Sequence, residues 1–302
     1  MLRKLLSTLG VAISLLAMPA AADARRDWAA ISPGLTMAFD PASKNVCNAG
    51  ATSCVDAVLA EMERRYAPLA ASCDHDAIFA LAYLRTTEAY RQAIEDPRFF
   101  SDTAFVNHED ALFAKLYFDA FDAFDAFDAW HAGAAGATPA AWAIALRAAD
   151  RREVSGAGNL LLGINAHVQR DLPYVLHGVG LVKPDGSSRK PDHDKVNQIL
   201  EQVYPPLLEE LARDYDPTID DTNLPTDVDD KGLFQIVVAW REIAWRNAER
   251  LAAARTALER EAVALSIETY AASQAEAIRL ASAYVAPLQS SAARDAYCAA
   301  RM

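Results

Sequence analysis

The chain has 302 residues, 52% of them hydrophobic, and its 41 acidic side chains outnumber its 29 basic ones. The hydrophobic share excludes a disordered chain, and 12 glycines with 14 prolines are too few for the many turns of a β-sandwich or barrel. The formal net charge of −12 excludes stable nucleic-acid binding, because phosphate backbones repel an acidic protein.

The first residues have the pattern of an export signal. The positive pair Arg3-Lys4 precedes a mainly apolar run over residues 5–18, and Ala22-Asp23-Ala24 fits the small-residue cleavage rule. The apolar run is too short to span a bilayer comfortably, and no later segment has about 18 uninterrupted apolar residues. We therefore expect residues 1–24 to be a signal peptide and residues 25–302 to form an exported domain, periplasmic or secreted and not membrane-spanning.

Four cysteines agree with export, since disulfides form in oxidising compartments. Four cysteines allow three pairings. Cys47 and Cys54 flank a short polar loop that a disulfide between them can close, which leaves Cys73 to pair with Cys298. None of the spacings is that of a zinc ribbon, so we expect disulfides here and not a cysteine-bound metal.

Apolar residues recur at three- and four-residue spacing along most of the chain, which predicts helices. The sixth predicted helix begins at Asp192, after five earlier ones, and Pro205-Pro206 is expected to kink or break it. One or two long helices are predicted over 231–287, because residues 233–286 contain neither glycine nor proline. Alternation typical of strands is missing, so the predicted fold is an all-α, single-domain multi-helix bundle. The five earlier predicted helices cover about 53–71, 75–95, 107–130, 138–150 and 155–176.

One of these helices contains a low-complexity repeat in which phenylalanine recurs every three residues and is followed each time by aspartate. A ladder of carboxylates can hold cations, but no other ligands lie nearby in the sequence. We expect the phenylalanines to pack inward and the aspartates to be solvated. The repeat comprises Phe118, Phe121, Phe124 and Phe127 with Asp119, Asp122, Asp125 and Asp128.

The segment around His167 carries the strongest signal for chemistry. His167 and Asp171 are four residues apart, so both project from one face of a helix and can bind one divalent ion. Asn165 and His167 also interrupt a run apolar enough to be buried, and a buried polar group needs a partner. A metal can supply that partner. Alternatively, His167 and Asp171 hydrogen-bond to each other, or to Asn165 and Arg241.

The same segment, G-I-N-A-H-V-Q-R-D-L-P at 163–173, resembles the signature of an uncharacterised bacterial domain-of-unknown-function family. Shorter segments extend the resemblance over about 55–250. That family implies a helical domain with His167 and Asp171 at its centre and brings no established activity. The supporting segments are Y-L-R-T-T at 83–87, D-P-R-F-F at 96–100 and A-A-W at 140–142.

A second, remote resemblance concerns the zinc-dependent phospholipase C and single-strand nuclease superfamily, whose members are exported and all-helical. The spacing H-x3-D-x5-H, starting at His167, is similar to theirs. The resemblance implies zinc or another divalent metal. We expect Asn165, Asn197 and Arg241 to lie beside the ligands. Asn197 departs from the superfamily pattern, which has an acid there, and this weakens one metal position. The implied ligands are His108, His167, Asp171, His177 and His193.

Two hypotheses follow for the function. The leading one is an exported metal-dependent hydrolase in which a metal-bound water attacks a small-molecule or phosphoester substrate. The alternative is a non-catalytic binding or structural protein of the cell envelope. In that case Asn165, His167 and Asp171 form a buried hydrogen-bond network that fixes the register of the helices.

Overall fold

The structure is a computed structural model that describes residues 27–130, 138–219, 228–287 and 289–301, apart from the side chains of 126–130 and 228–231. The predicted signal peptide lies outside the described residues. Within them all regular elements are helical, and extended pairing is limited to two isolated bridges. None of the described helices combines the length and the apolar character needed to span a membrane.

The predicted all-α bundle is confirmed. Most predicted helices agree with the structure to within a few residues, and the long C-terminal region divides into α9 and α10 at a capping box formed by Thr256 and Glu259. The helices are α1 (Trp28–Ile31), α2 (Thr52–Ala71), α3 (Ala77–Ala93), α4 (Thr103–Trp130), α5 (Ala140–Asp150), α6 (Gly156–Ile164), α7 (Leu172–Val179), α8 (Lys190–Asp214), α9 (Val228–Ala253), α10 (Ala257–Ala281) and α11 (Ser291–Ala299).

Two stretches of helix differ in detail from the predictions. The predicted helix over 155–176 is present but contains a π-helical segment, Asn165–Asp171, between α6 and α7. Conversely, α8 runs through Pro205 and Pro206 without a break. Both prolines are exposed. The carbonyl groups that they leave without a donor therefore face water, which can hydrogen-bond them, and the helix tolerates the loss.

Both predicted disulfides are present, Cys47–Cys54 and Cys73–Cys298. The second joins residues 225 apart and ties α11 to the end of α2. The loop closed by the Cys47–Cys54 disulfide packs closely on α4. Gly50 of this loop has φ 65°, and a Cβ added there would meet the backbone of Ala104. The disulfides thus attach both the N-terminal loop and the C-terminal helix to the bundle.

The π segment, Asn165–Asp171, lies at the centre of the bundle, in contact with α4, α5, α9 and α10 as well as with α6 and α7.

The side chains of the Phe–Asp repeat in α4 point in the predicted directions where they are described. Phe118 and Phe124 are buried in the core, and Asp119, Asp122 and Asp125 are exposed. The side chains of Phe127 and Asp128 lie outside the described residues.

Candidate functional site

The site is built on the π segment. The backbone N–H of Leu172 donates to the carbonyl of His167, five residues back, instead of four as in an α-helix. Insertions of this kind occur mostly as single turns and frequently at functional sites. Pro173 follows at once in α7, and because it has no N–H it cannot donate to the carbonyl groups of the π segment one turn earlier. The wide turn therefore lies between two regular helices.

Asp171 is the fully buried anchor of this segment. One of its carboxylate oxygens accepts hydrogen bonds from Trp142 Nε1 (2.8 Å) and His167 Nδ1 (3.1 Å), and the other accepts from Arg170 Nη1 (2.9 Å). Arg170 also bonds Glu268 on α10 at 3.0 Å. Asp171 thus joins α5, the π segment and, through Arg170, α10.

His167 is held in one orientation. Its ring stacks on Phe113 with centroids 3.5 Å apart and planes 9° apart, and Tyr83 contacts it edge-on at 4.6 Å. Burial lowers the pKa of His167, against the opposing effect of Asp171, so the ring is neutral at pH 7. Since the carboxylate of Asp171 only accepts, the proton is on Nδ1 and Nε2 carries the lone pair.

Gly163 is the residue that lets the aromatic rings approach this segment. A Cβ at position 163 would lie 2.3 Å from Cγ of Phe79. Phe79 in turn lies edge-on to His167, 5.9 Å between centroids. Glycine here therefore permits the close packing of α3 against α6 that surrounds the histidine.

A cavity of about 120 Å³ opens beside His167, between α3, α4, α8 and α9. Its lining is mainly apolar, with Phe113, Leu200 and Ile199 among the contributing side chains. Within the described part of the protein, His167 Nε2 has no hydrogen-bond partner, and the same is true of the buried hydroxyl of Tyr83. Both of these unpaired polar atoms belong to residues that line an apolar cavity.

Two adjacent carboxyl groups on α4, those of Glu109 and Asp110, also line the cavity. Burial raises the pKa of Glu109 to about 7, partly offset by Arg241 and Arg189, and burial with the neighbouring Glu109 raises the pKa of Asp110 to about 7. Asp110 Oδ2 is buried without a partner among the described residues. Half-protonated carboxyl groups at neutral pH can donate or accept hydrogen bonds.

The opposite wall of the cavity contains Arg241 of α9. Its guanidinium donates to Asn197 Oδ1 (2.9 Å) and to the backbone oxygen of His193 (2.6 Å), both on α8. Burial lowers the pKa of Arg241 to about 10, and burial together with Arg241 lowers that of His193 well below its usual value. This second polar cluster joins α8 to α9.

The structure does not bring the five predicted metal ligands together. His167 and Asp171 are adjacent, but both ring nitrogens of His108 face backbone carbonyls, those of Cys47 (3.0 Å) and Met37 (3.3 Å). His193 lies beside the cationic Arg241, and His177 is half-buried in the last turn of α7. In the described ranges no group of three or more His, Cys, Asp or Glu side chains can hold a metal ion.

The three residues expected beside the metal have separate positions. Asn197 and Arg241 bond each other, whereas Asn165 Nδ2 donates to the backbone oxygen of Ala271 on α10 at 2.9 Å. Asn165 therefore fixes the π segment to α10 and does not bond His167 or Asp171.

Several site residues were missed by the motif-based reasoning. Tyr83 and Trp142 belong to the short segments Y-L-R-T-T and A-A-W, but they were not assigned a role there. Asp110 lies on the helical stripe of Val106 and Phe113, and a carboxyl group on an apolar stripe was the signal that could have identified it.

Comparison with known proteins adds a family without an activity. Residues 55–281 match a family of unknown function, DUF5995. No curated protein and no solved structure matches the chain, so the resemblance to zinc-dependent phospholipases and nucleases has no support from these comparisons. Because the match covers most of the sequence, the protein belongs to the DUF5995 family.

Proposed function

We propose that this protein binds a compact, mostly apolar small molecule in the cavity beside His167. One observation carries the proposal: three polar atoms on this apolar cavity, His167 Nε2, Tyr83 OH and Asp110 Oδ2, are buried without a partner in the described residues. Buried polar groups in folded proteins are nearly always paired, and an unpaired one costs about 1–3 kcal/mol. A ligand with matching groups removes that cost.

The cavity limits the size of the ligand. Its volume is about 120 Å³, and an engineered apolar cavity of roughly 150 Å³ in another protein holds benzene. One six-membered ring or a short branched chain with a polar substituent is therefore the expected scale. The mainly apolar lining with a few polar groups is typical of small-molecule sites.

Binding is better supported than covalent catalysis. The hydroxyl groups of Thr86 and Thr87 line the cavity, but each donates to a backbone carbonyl one turn earlier, that of Ala82 (2.8 Å) or Tyr83 (3.0 Å). His167 is held in an orientation suited to a general base. However, the lining contains no serine or cysteine that His167 could activate as a nucleophile, and the two threonine hydroxyls are already bonded.

The metal-dependent phosphoester hydrolase predicted from the sequence has weaker support. His167 Nε2 offers a lone pair to an ion, but His108 faces carbonyl groups and His193 faces a guanidinium. Metal analysis of the purified protein and of His167→Ala tests it. Bound zinc that depends on His167 would favour the hydrolase over simple binding.

Export to an oxidising compartment is part of the proposal. Its support is the pair of disulfides, together with the signal-peptide pattern of residues 1–24. Fractionation of cells expressing the full chain, with mass spectrometry of the N-terminus, tests whether cleavage follows Ala24.

The experiment for binding is calorimetric titration with toluene, cyclohexanol and benzyl alcohol. At about 0.5–0.9 kcal/mol for each non-hydrogen atom, an eight-atom ligand has a Kd between about 1 mM and about 5 µM. We expect benzyl alcohol to bind in that range. Ala82→Leu extends a side chain into the cavity and should abolish binding, whereas Ala277→Leu, at an exposed position of α10, should not. Absence of heat with all three compounds would contradict the proposal.

A further inference from the structure

The two adjacent carboxyl groups of the cavity have no counter-ion within contact distance. Among the described residues, neither Glu109 nor Asp110 takes part in a hydrogen bond through its side chain or in an ion pair within 4.0 Å. Arg241 is the cation of the lining, and its Nε and Nη2 donate to Asn197 Oδ1 and to the backbone oxygen of His193. Two acids thus share one apolar cavity with one guanidinium whose hydrogen bonds, within the described residues, go to α8.

The other unpaired atoms of the cavity are also acceptors. His167 is 3% exposed, its proton is on Nδ1, and its Nε2 lone pair lacks a donor in the described part of the chain. The hydroxyl of Tyr83 can accept as well as donate. A ligand hydroxyl brings a single donor to this set, while a primary ammonium group brings three N–H donors.

The charge of the cavity distinguishes between ligand classes. Two carboxylates and one guanidinium give the lining a surplus of one negative charge when both acids are ionised. A ligand carboxylate would add a third negative charge, whereas a cation balances the surplus. The rings of Phe79, Tyr83 and Phe113 line the same space, and aromatic faces attract organic cations.

We propose that the ligand of this cavity is an organic primary amine, bound as its ammonium ion by Asp110 and His167 with its apolar body among the aromatic rings. This inference rests on the proposed function, since it names the chemical class of the molecule that the cavity binds. A bare divalent cation is the competing occupant. The described residues hold no group of three ligands for one, and the apolar body of the cavity would stay unfilled.

The test compares one ring with four substituents: benzylamine, benzyl alcohol, benzoate and toluene, titrated calorimetrically at pH 8. We expect wild-type protein to bind benzylamine at least tenfold more tightly than benzyl alcohol and to show no binding of benzoate. Asp110→Asn should reduce the preference for the amine at least fivefold while the Kd of benzyl alcohol changes less than twofold. Glu109→Gln provides a second variant, with the same direction, if Asp110→Asn does not fold.

Asp119→Asn is the matched control, because Asp119 lies on the same helix and is exposed. It should leave every Kd unchanged. Equal affinity for amine and alcohol, or tighter binding of benzoate, would overturn the inference and leave the proposed function intact. Absence of binding by all four compounds would overturn both. Stoichiometric binding of Zn²⁺ alone, lost in Asp110→Asn, would replace the amine by a metal.

Discussion

Replacing Asp171 by asparagine is the most informative perturbation of the core. The side chain is fully buried and its two oxygens accept from Trp142, His167 and Arg170, at 2.8, 3.1 and 2.9 Å. An asparagine amide has one accepting oxygen, so at least one of these donors then faces an NH₂ group. The guanidinium of Arg170 also loses its ion pair with Asp171 and keeps the one with Glu268 on α10. An unsatisfied buried donor costs about 1–3 kcal/mol and the loss of one carboxylate of a buried ion pair adds to that cost, so we expect a destabilisation of about 3–5 kcal/mol.

Urea unfolding followed by far-UV circular dichroism measures this change as a shift of the midpoint at constant m-value. Trp142→Phe removes one donor and should cost less, about 1–3 kcal/mol. Asp119→Asn, an exposed carboxylate paired with Lys115 on α4, should change stability by no more than about 0.5 kcal/mol. A loss below 1 kcal/mol in Asp171→Asn would refute the network as an anchor of the fold.

Three further predictions concern packing, covalent structure and pH. Gly163→Ala should destabilise the protein by about 1–3 kcal/mol in urea, since its Cβ would overlap a buried ring; an unchanged midpoint would contradict this. Replacing Cys73 and Cys298 together by alanine should cost about 3–5 kcal/mol, and a loss under 1 kcal/mol would argue against the cross-link. Because the folded-state pKa values of Glu109 and Asp110 are raised to about 7, their contribution to stability is fully present below pH 4 and is lost as pH rises to 7. The double amide variant should remove that slope from the pH profile of unfolding, and an identical slope would contradict these pKa shifts.

The fold was largely predictable from the sequence because helical periodicity and capping are local signals. Helix α2 is an example, since the apolar spacing predicts a helix over about 53–71 and the structure has Thr52–Ala71. The path of α8 through Pro205 and Pro206 was not predictable, because it depends on which side of the helix faces water. The π segment is a further example: its extra residue is stabilised by packing against four surrounding helices, and no local pattern encodes it.

The site was predictable only at its centre. His167 and Asp171 stood out because polar residues interrupted an apolar run, and the structure joins them by a hydrogen bond. Their partners come from distant positions in the chain: Trp142 from α5 and Phe113 from α4. Asp110 was not predicted because the site was sought through the spacing of histidines with Asp171. The significance of Asp110 comes from an apolar cavity that forms only in the folded bundle.

The most direct test of ligand binding at His167 is the ¹⁵N NMR spectrum of histidine-labelled protein, with His167→Gln used for assignment. At pH 7 we expect Nδ1 of His167 to be protonated and Nε2 to carry a free lone pair. Addition of benzyl alcohol should then shift the Nε2 resonance in proportion to occupancy and leave that of His108 unchanged. A protonated Nε2, or a His167 resonance that does not move while the ligand binds elsewhere, would contradict the account.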